Sequence, residues 1–280
     1  MTALLAKRRH PLAPLLVMGL ALAALAALYA LLSPSSQAST TTAQSTQIEE
    51  GKELFLVGCS SCHGLNAEGV VREDGTVLGP SLIGVGAAAV DFQVATGRMP
   101  MARNNVQAPR KSVAYTEEQT AALASYVASL APGPAIPEPD QYDPTQGDVA
   151  RGGALYRTNC AQCHNTTGQG GALTLGKYAP KLTGVEPVHV YQAMLTGPQS
   201  MPVFSDAVLT SEDKRDIIAY LDNVENQPNP GGLGIGRIGP VSEGLWVWLI
   251  GLGALIAVAA WLGARAATVK RDKQGGEVAA

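Results

Sequence analysis

Aromatic side chains are scarce in this 280-residue sequence: three Phe, three Trp and eight Tyr make up 5% of it. Charged residues reach only 15%, against about 25% in an average globular chain. Such a composition offers little aromatic bulk for a self-made core, and a cofactor bringing its own apolar mass would suit it. A basic excess is also missing. The formal net charge is −3, and residues 33–243 carry 13 Lys and Arg against 21 Asp and Glu, which argues against nucleic acid as a partner. Solubility alone accounts for most of those carboxylates. No stretch alternates apolar and polar residues as a half-buried strand does. No histidine, serine and carboxylate constellation suggests an independent hydrolytic enzyme. Histidine and cysteine number four each, and every cysteine falls in one pattern, CSSCH at 59–63 and CAQCH at 160–164.

What the chain has in quantity is apolar length at its two ends. Residues 11–32 follow a basic cluster of Lys7, Arg8 and Arg9, and residues 244–264 precede Arg265, Lys270, Arg271 and Lys273. Each run is long enough to cross roughly 30 Å of hydrocarbon as a helix. Trp246 and Trp248 stand near one end of the second run and Trp261 near the other, the interfacial placement of a spanning helix. Residues 244–264 are therefore expected to be a transmembrane helix, with 265–280 a basic cytoplasmic tail. Residues 1–32 read either as a cleaved secretory signal, given the small residues of SSQAS at 35–39, or as an uncleaved anchor, given the length of the apolar run. Both readings keep the basic flanks cytoplasmic and put the body of the chain on the outside of the cell membrane.

Between these ends one plan is written twice. GKELFLVGCSSCH at 51–63 answers GGALYRTNCAQCH at 152–164, with Gly51 and Gly152 each eight residues before the first cysteine. GPSLIGV at 79–85 answers APKLTGV at 179–185, ATGRMPM at 95–101 answers LTGPQSMP at 195–202, and Tyr126 falls on Tyr220 in the closing segment. Order and spacing persist, so the unit is a duplicated domain, at 49–130 and 148–225. Residues 33–48 read as a polar linker too poor in apolar residues to fold. Residues 131–147 read as a Pro-rich, extended, semi-rigid linker, and 226–243 as a Gly/Pro linker. Within each copy helices are expected: short ones at 49–59 and 148–160, and a closing one in which Thr116 and Gln119 form a capping box before Leu123, Tyr126, Val127 and Leu130. Ile217, Ile218, Tyr220 and Leu221 recur in the same way in the second copy.

Two cysteines three apart with histidine next place two thiols and an imidazole on one side of a helical turn. Each thiol can add across a vinyl group of haem, and the histidine then meets the iron from the same face; the pattern is that of c-type haem attachment. Zinc would need three or four protein ligands, and each copy offers two cysteines and one histidine crowded beside them. A thioredoxin-like redox pair would want a βαβ context, and disulfides leave the paired histidines unexplained. Two covalently bound haem c groups are the expectation, held by Cys59, Cys62 and His63 and by Cys160, Cys163 and His164.

Each iron then has a second axial face. Methionine sulfur there raises the potential. Met99 and Met201 each follow a Thr-Gly pair and precede a proline in matching parts of the repeat, and both are expected as distal ligands. Met101 competes with Met99, since it lies four residues after Gly97 as Met201 lies four after Gly197. Met194 reads as helix packing. His189 falls on Ala89 in the other copy and reads as surface or packing rather than as a ligand. Pro80 and Pro180 are candidates to offer a carbonyl to the other ring nitrogen of each histidine, or simply fix a turn.

Taken together, CxxCH, Pro-x-Leu, Met-Pro and a closing amphipathic helix make each unit resemble class I cytochrome c. The resemblance covers 49–130 and 148–224 and implies an all-α fold with crossed first and last helices. It also implies Met99 and Met201 as distal ligands and a proline carbonyl, from Pro80 and Pro180, on each proximal histidine. The full layout is similar to the dihaem cytochrome c (cytochrome cc) subunits of actinobacterial quinol–cytochrome c reductase, and TGRMPMARNNVQAPRK at 96–111 is similar to that family in particular. That resemblance implies a membrane-anchored electron-transfer subunit without catalytic residues of its own. A Rieske iron–sulfur protein and a cytochrome b would lie upstream, and a terminal oxidase downstream, in a supercomplex. A cytochrome subunit of an alcohol or sugar dehydrogenase is the alternative within electron transfer. A haem-based ligand sensor is the alternative outside it.

Overall fold

The computed structural model describes residues 12–32, 36–228 and 240–275. The basic cluster at 7–9, most of the linker after the second domain, and the last five residues of the tail lie outside them.

In chain order, α1 (Ala13–Leu32) precedes the first domain, which opens with α2 (Ser36–Gly58) and the one-turn α3 (Ser60–His63). A hairpin of β1 (Val70–Val71) and β2 (Val77–Gly79) leads to α4 (Gly86–Ala95) and α5 (Glu117–Leu130). After α6 (Pro139–Tyr142) the second domain repeats the plan: α7 (Val149–Asn159), the one-turn α8 (Ala161–His164), β3 (Gly171–Ala172) with β4 (Tyr178–Ala179), then α9 (Pro187–Thr196) and α10 (Ser211–Asn226). A final helix, α11, runs Pro240–Gly275. The fold is all-α, as expected.

The duplication is visible in the packing. First and last helices cross in both units, α2 on α5 and α7 on α10. At the first crossing a Cβ on Gly51 would run into the Ala122 carbonyl, and at the second a Cβ on Gly152 would run into that of Asp216. That explains a glycine eight residues before each CxxCH: the backbones touch there. Next to each crossing an aromatic pair closes the core, Phe55 with Tyr126 at 5.3 Å between centroids and Tyr156 with Tyr220 at 5.2 Å. The cores gather Phe55, Val94, Leu123 and Val127 in the first unit and Tyr156, Met194, Ile217 and Ile218 in the second. Both closing helices carry a capping box. Thr116 Oγ1 accepts from Gln119 N at 3.3 Å while Gln119 Oε1 accepts from Thr116 N at 3.1 Å, and Thr210 with Asp213 repeats the exchange.

Three expectations need correcting. Residues 36–48 are not an unfolded tether; α2 begins at Ser36. No Gly or Pro interrupts them, and once the domain end of a helix is anchored, each added residue gains a hydrogen bond without a new nucleation cost. The Pro-rich linker is not simply extended. Its second half forms α6, opened by the reciprocal bonding of Glu138 and Gln141, then a 3₁₀ turn at Pro144–Gln146 that Asp143 caps. Both pack on α10, and the first half is tied to the other domain through Ala88 N donating to Pro134 O at 3.1 Å. The two hairpins were not expected, because a ladder of two or three residues is too short to show a period.

At the C-terminus, Gly244–Arg265 is long and apolar enough to cross a membrane and is unburied throughout. Among the described residues it is the one helix that meets this test; the apolar part of α1, Pro14–Leu28, is shorter. The helical segment extends beyond 244–264 at both ends.

The domains dock through α4 and α9. Gln192 Nε2 donates to Asp91 Oδ2 at 2.6 Å, and the Phe92 and His189 rings meet edge-on at 6.3 Å. From the loop after Met99, Gln107 Nε2 donates to Tyr178 O at 2.8 Å and Tyr178 N donates back to Gln107 Oε1 at 3.0 Å. Ala108 N donates to Gln199 Oε1 at 3.2 Å.

Candidate haem-binding sites

Each CxxCH forms a tight turn at the end of the opening helix. Cys59 and Cys160 stop α2 and α7, and the histidine amides donate back to their carbonyls at 3.0 and 2.9 Å. In the second domain that turn brings Cys160, Cys163 and His164 to the lining of one cavity. The chain then leaves through Gly64 (φ 83°) and Asn165 (φ 67°), a left-handed bend that frees the histidine face.

The hairpins deliver the next group. Each runs from a histidine to a proline and returns the proline carbonyl to the ring it started from: His63 Nδ1 donates to Pro80 O at 2.8 Å, and His164 Nδ1 to Pro180 O at 3.0 Å. A carbonyl accepts only, so Nδ1 carries the hydrogen in both rings and Nε2 keeps its lone pair for a metal. Gly79 is required beside this contact, since a Cβ there would press on the Cys62 carbonyl and on His63 Nδ1. Both histidines are 8% exposed. Burial pulls His164 below the usual imidazole range, against the opposing Pro180 hydrogen bond, and so favours the neutral, metal-binding form.

Cys59 and Cys160 do not sit in the surroundings of a reactive thiolate. Burial, and then the neighbouring cysteine, push the Cys59 thiol up to about 11 and the Cys160 thiol up to about 12, the reverse of the shift reactive thiols need. Among the described residues no three His, Cys, Asp or Glu side chains converge as a metal cluster.

A methionine lies near each turn. Met201 and the three CxxCH side chains line one cavity with Leu182, Val190, Met194, Phe204 and Ile217. In the first domain Met99 and Cys59 pack on the same apolar cluster. The donor set fits a haem: in the second domain two sulfurs, an oriented imidazole and a soft thioether line one largely apolar space. His189 is buried at the domain interface against Phe92 and also lines the second cavity, and Met194 is 2% exposed in the core. Sequence reasoning missed the first-domain side chains on the second cavity, Phe92, Arg98, Gln107 and Arg110 among them. Burial, then the nearby charge of Arg110, lower Arg98 from the usual guanidinium range.

Comparison with known proteins agrees with this geometry. The cytochrome c family profile matches residues 48–131, and the profile of cytochrome c oxidase, cbb3-type, subunit III matches 147–221. The cytochrome bc1 complex cytochrome c subunit of Corynebacterium efficiens is 46% identical over 276 residues, covering 92% of this chain and 91% of that one. The chain belongs to this family. The bc1 complex cytochrome c subunits of Corynebacterium diphtheriae and Mycobacterium bovis are 44% and 47% identical, covering 92% and 84% of this chain and 96% and 84% of theirs. A chain of the Kuenenia stuttgartiensis reducing HAO-like protein complex superposes at a TM-score of 0.35 and 18% identity, over 63% of this chain and 96% of its own. That likeness is too distant to bear on function. As a member of the bc1 cytochrome c subunit family with two cytochrome c domains, the protein carries covalently bound haem c and passes electrons in the respiratory chain. Haem c, when bound, supplies a one-electron couple; the chain's own residues orient it and keep water off it.

Proposed function

We propose that Cys59, Cys62 and His63, and Cys160, Cys163 and His164, hold the two haems, with Met99 and Met201 as distal ligands. Single electrons then pass from a Rieske protein and cytochrome b core that oxidises quinol, through the two domains, to a terminal oxidase. The duplicated histidine-to-proline-carbonyl contact carries this reading, because it sets both imidazoles up as iron ligands in equivalent frames. Met99 is favoured over Met101 by its place on the same apolar cluster as Cys59. The haem domains lie outside the cytoplasm, with Gly244–Arg265 as the anchor and the basic tail inside.

Mild-detergent purification of the whole protein tests the partners. A Rieske protein, a cytochrome b and an oxidase should accompany it; a quinoprotein or flavoprotein in their place would overturn the reading. For the ligands, Met99→His and Met201→His should each lower one haem potential, while Met101→Leu leaves both unmoved. An unchanged potential in either histidine variant removes that methionine.

A further inference from the structure

The cavity beside Cys160, Cys163 and His164 is closed on one side by the other domain. Arg98 and Arg110 both belong to the first domain, yet both line this second-domain space. Arg98 is half-buried and lies over the Phe92 ring at 4.6 Å. The loop that carries Arg110 is held on the second domain by the Gln107–Tyr178 pair and the Ala108–Gln199 bond.

Neither guanidinium has a carboxylate within ion-pair distance among the described residues. Asp91, on the same helix as Phe92, is already engaged by Gln192. Arg98 is half-buried at the edge of this apolar cavity, where its charge costs free energy until an anion meets it, and Arg110, exposed at the rim, adds a second positive charge beside it. Haem brings two propionate carboxylates, and a guanidinium fork pairs with a carboxylate through two parallel hydrogen bonds.

We propose that Arg98 and Arg110 of the first domain bind the propionates of the haem held by the second domain. The second site is then complete only when the domains are docked. Positive charge near the iron favours the reduced form, so these arginines raise the second potential and tie it to the docked arrangement. The inference rests on a haem being attached at Cys160 and Cys163.

Full-length protein in detergent, titrated spectroelectrochemically, tests it. The double variant Arg98→Gln, Arg110→Gln should lower one of the two waves by about a tenfold change in oxidised-to-reduced ratio, about 59 mV for a one-electron couple. The wave that falls should be the one that Met201→His displaces. The Lys double variant should keep most of the potential. Arg103→Gln, exposed in the same loop but absent from the cavity wall, should move neither wave. Should the double variant fail to accumulate, Arg110→Gln alone should lower the same wave by a smaller step. An unmoved second wave in a variant with both haems attached overturns the proposal. So does a fall in the wave displaced by Met99→His, or an equal effect of Arg103→Gln. Unmodified Cys160 and Cys163 by mass spectrometry would remove the haem reading as well, an outcome distinct from all of these.

Discussion

His63 and His164 each give one ring hydrogen to a proline carbonyl, and that bond decides which nitrogen keeps its lone pair. The residues on both sides of it were legible beforehand: CxxCH names the imidazole, and Pro-x-Leu recurs at a fixed distance in both copies. Asp213 was not legible. It caps α10 by accepting from Thr210 N at 2.9 Å, and it is paired with Arg151, whose Nη1 also reaches Asp216 Oδ2 at 2.8 Å. Burial raises its pKa, but the Thr210 hydrogen bonds with Arg151 and Lys214 together carry the net shift below the usual carboxylate range. A carboxyl lowered in the folded state stabilises above its unfolded pKa, and the contribution disappears as pH falls through the folded value. Asp213→Asn should therefore cost about 1 kcal/mol at pH 7, the usual worth of a cap. Denaturant titrations of variant and parent should converge below about pH 3; a deficit constant with pH would show that charge is not the cause.

The crossing of opening and closing helices is the element on which each domain turns. At Gly152 the α7 backbone lies against the Asp216 carbonyl, and at Gly51 that of α2 lies against Ala122. A methyl group at either place separates the helices and loosens the aromatic pair beside them. Gly152→Ala and Gly51→Ala should each cost about 1–3 kcal/mol. Guanidinium unfolding followed by haem absorbance should then gain an early transition for one domain while the other keeps its own. Superimposable curves would mean that the crossing tolerates a side chain. The glycines themselves stood out from the repeat, but their reason did not, since it lies in a backbone contact between residues more than sixty positions apart. The hairpins were invisible for another reason: each ladder is shorter than one full alternation can reveal.

At the scale of the molecule, the two domains form one docked body rather than beads on a string. Phe92 is 4% exposed and lies outside the first domain's own core cluster, covered by His189 and Arg98. Its burial is a product of docking, and so is the placement of the 101–113 loop over the second cavity. Phe92→Ala combined with Gln192→Ala should free that loop and speed trypsin cleavage at Arg103, Arg110 and Lys111 by about tenfold, equivalent to about 1.4 kcal/mol of local stability. Both haems should stay attached. Unchanged cleavage would show that the loop is held without the docked interface. The linker at 131–147 takes part as well, one half bonded to Ala88 and the other folded on α10, so its prolines shape a contact instead of merely spacing two units.

The residues alone determined the chemistry: four cysteines with adjacent histidines, repeated at equal spacing, leave covalent haem as the reading that uses them all, and the apolar run with flanking tryptophans marks a helix long and apolar enough to cross a membrane. Those signals are local, each set by neighbours within a turn or two of chain. Only the tertiary structure decided which ring nitrogen is bonded to proline, why Gly51 and Gly152 are glycine, and that Arg98 and Arg110 of one domain stand at the cavity of the other. Such facts depend on contacts between distant segments, and a guanidinium's partner is set by what packs beside it, which no spacing along the chain encodes.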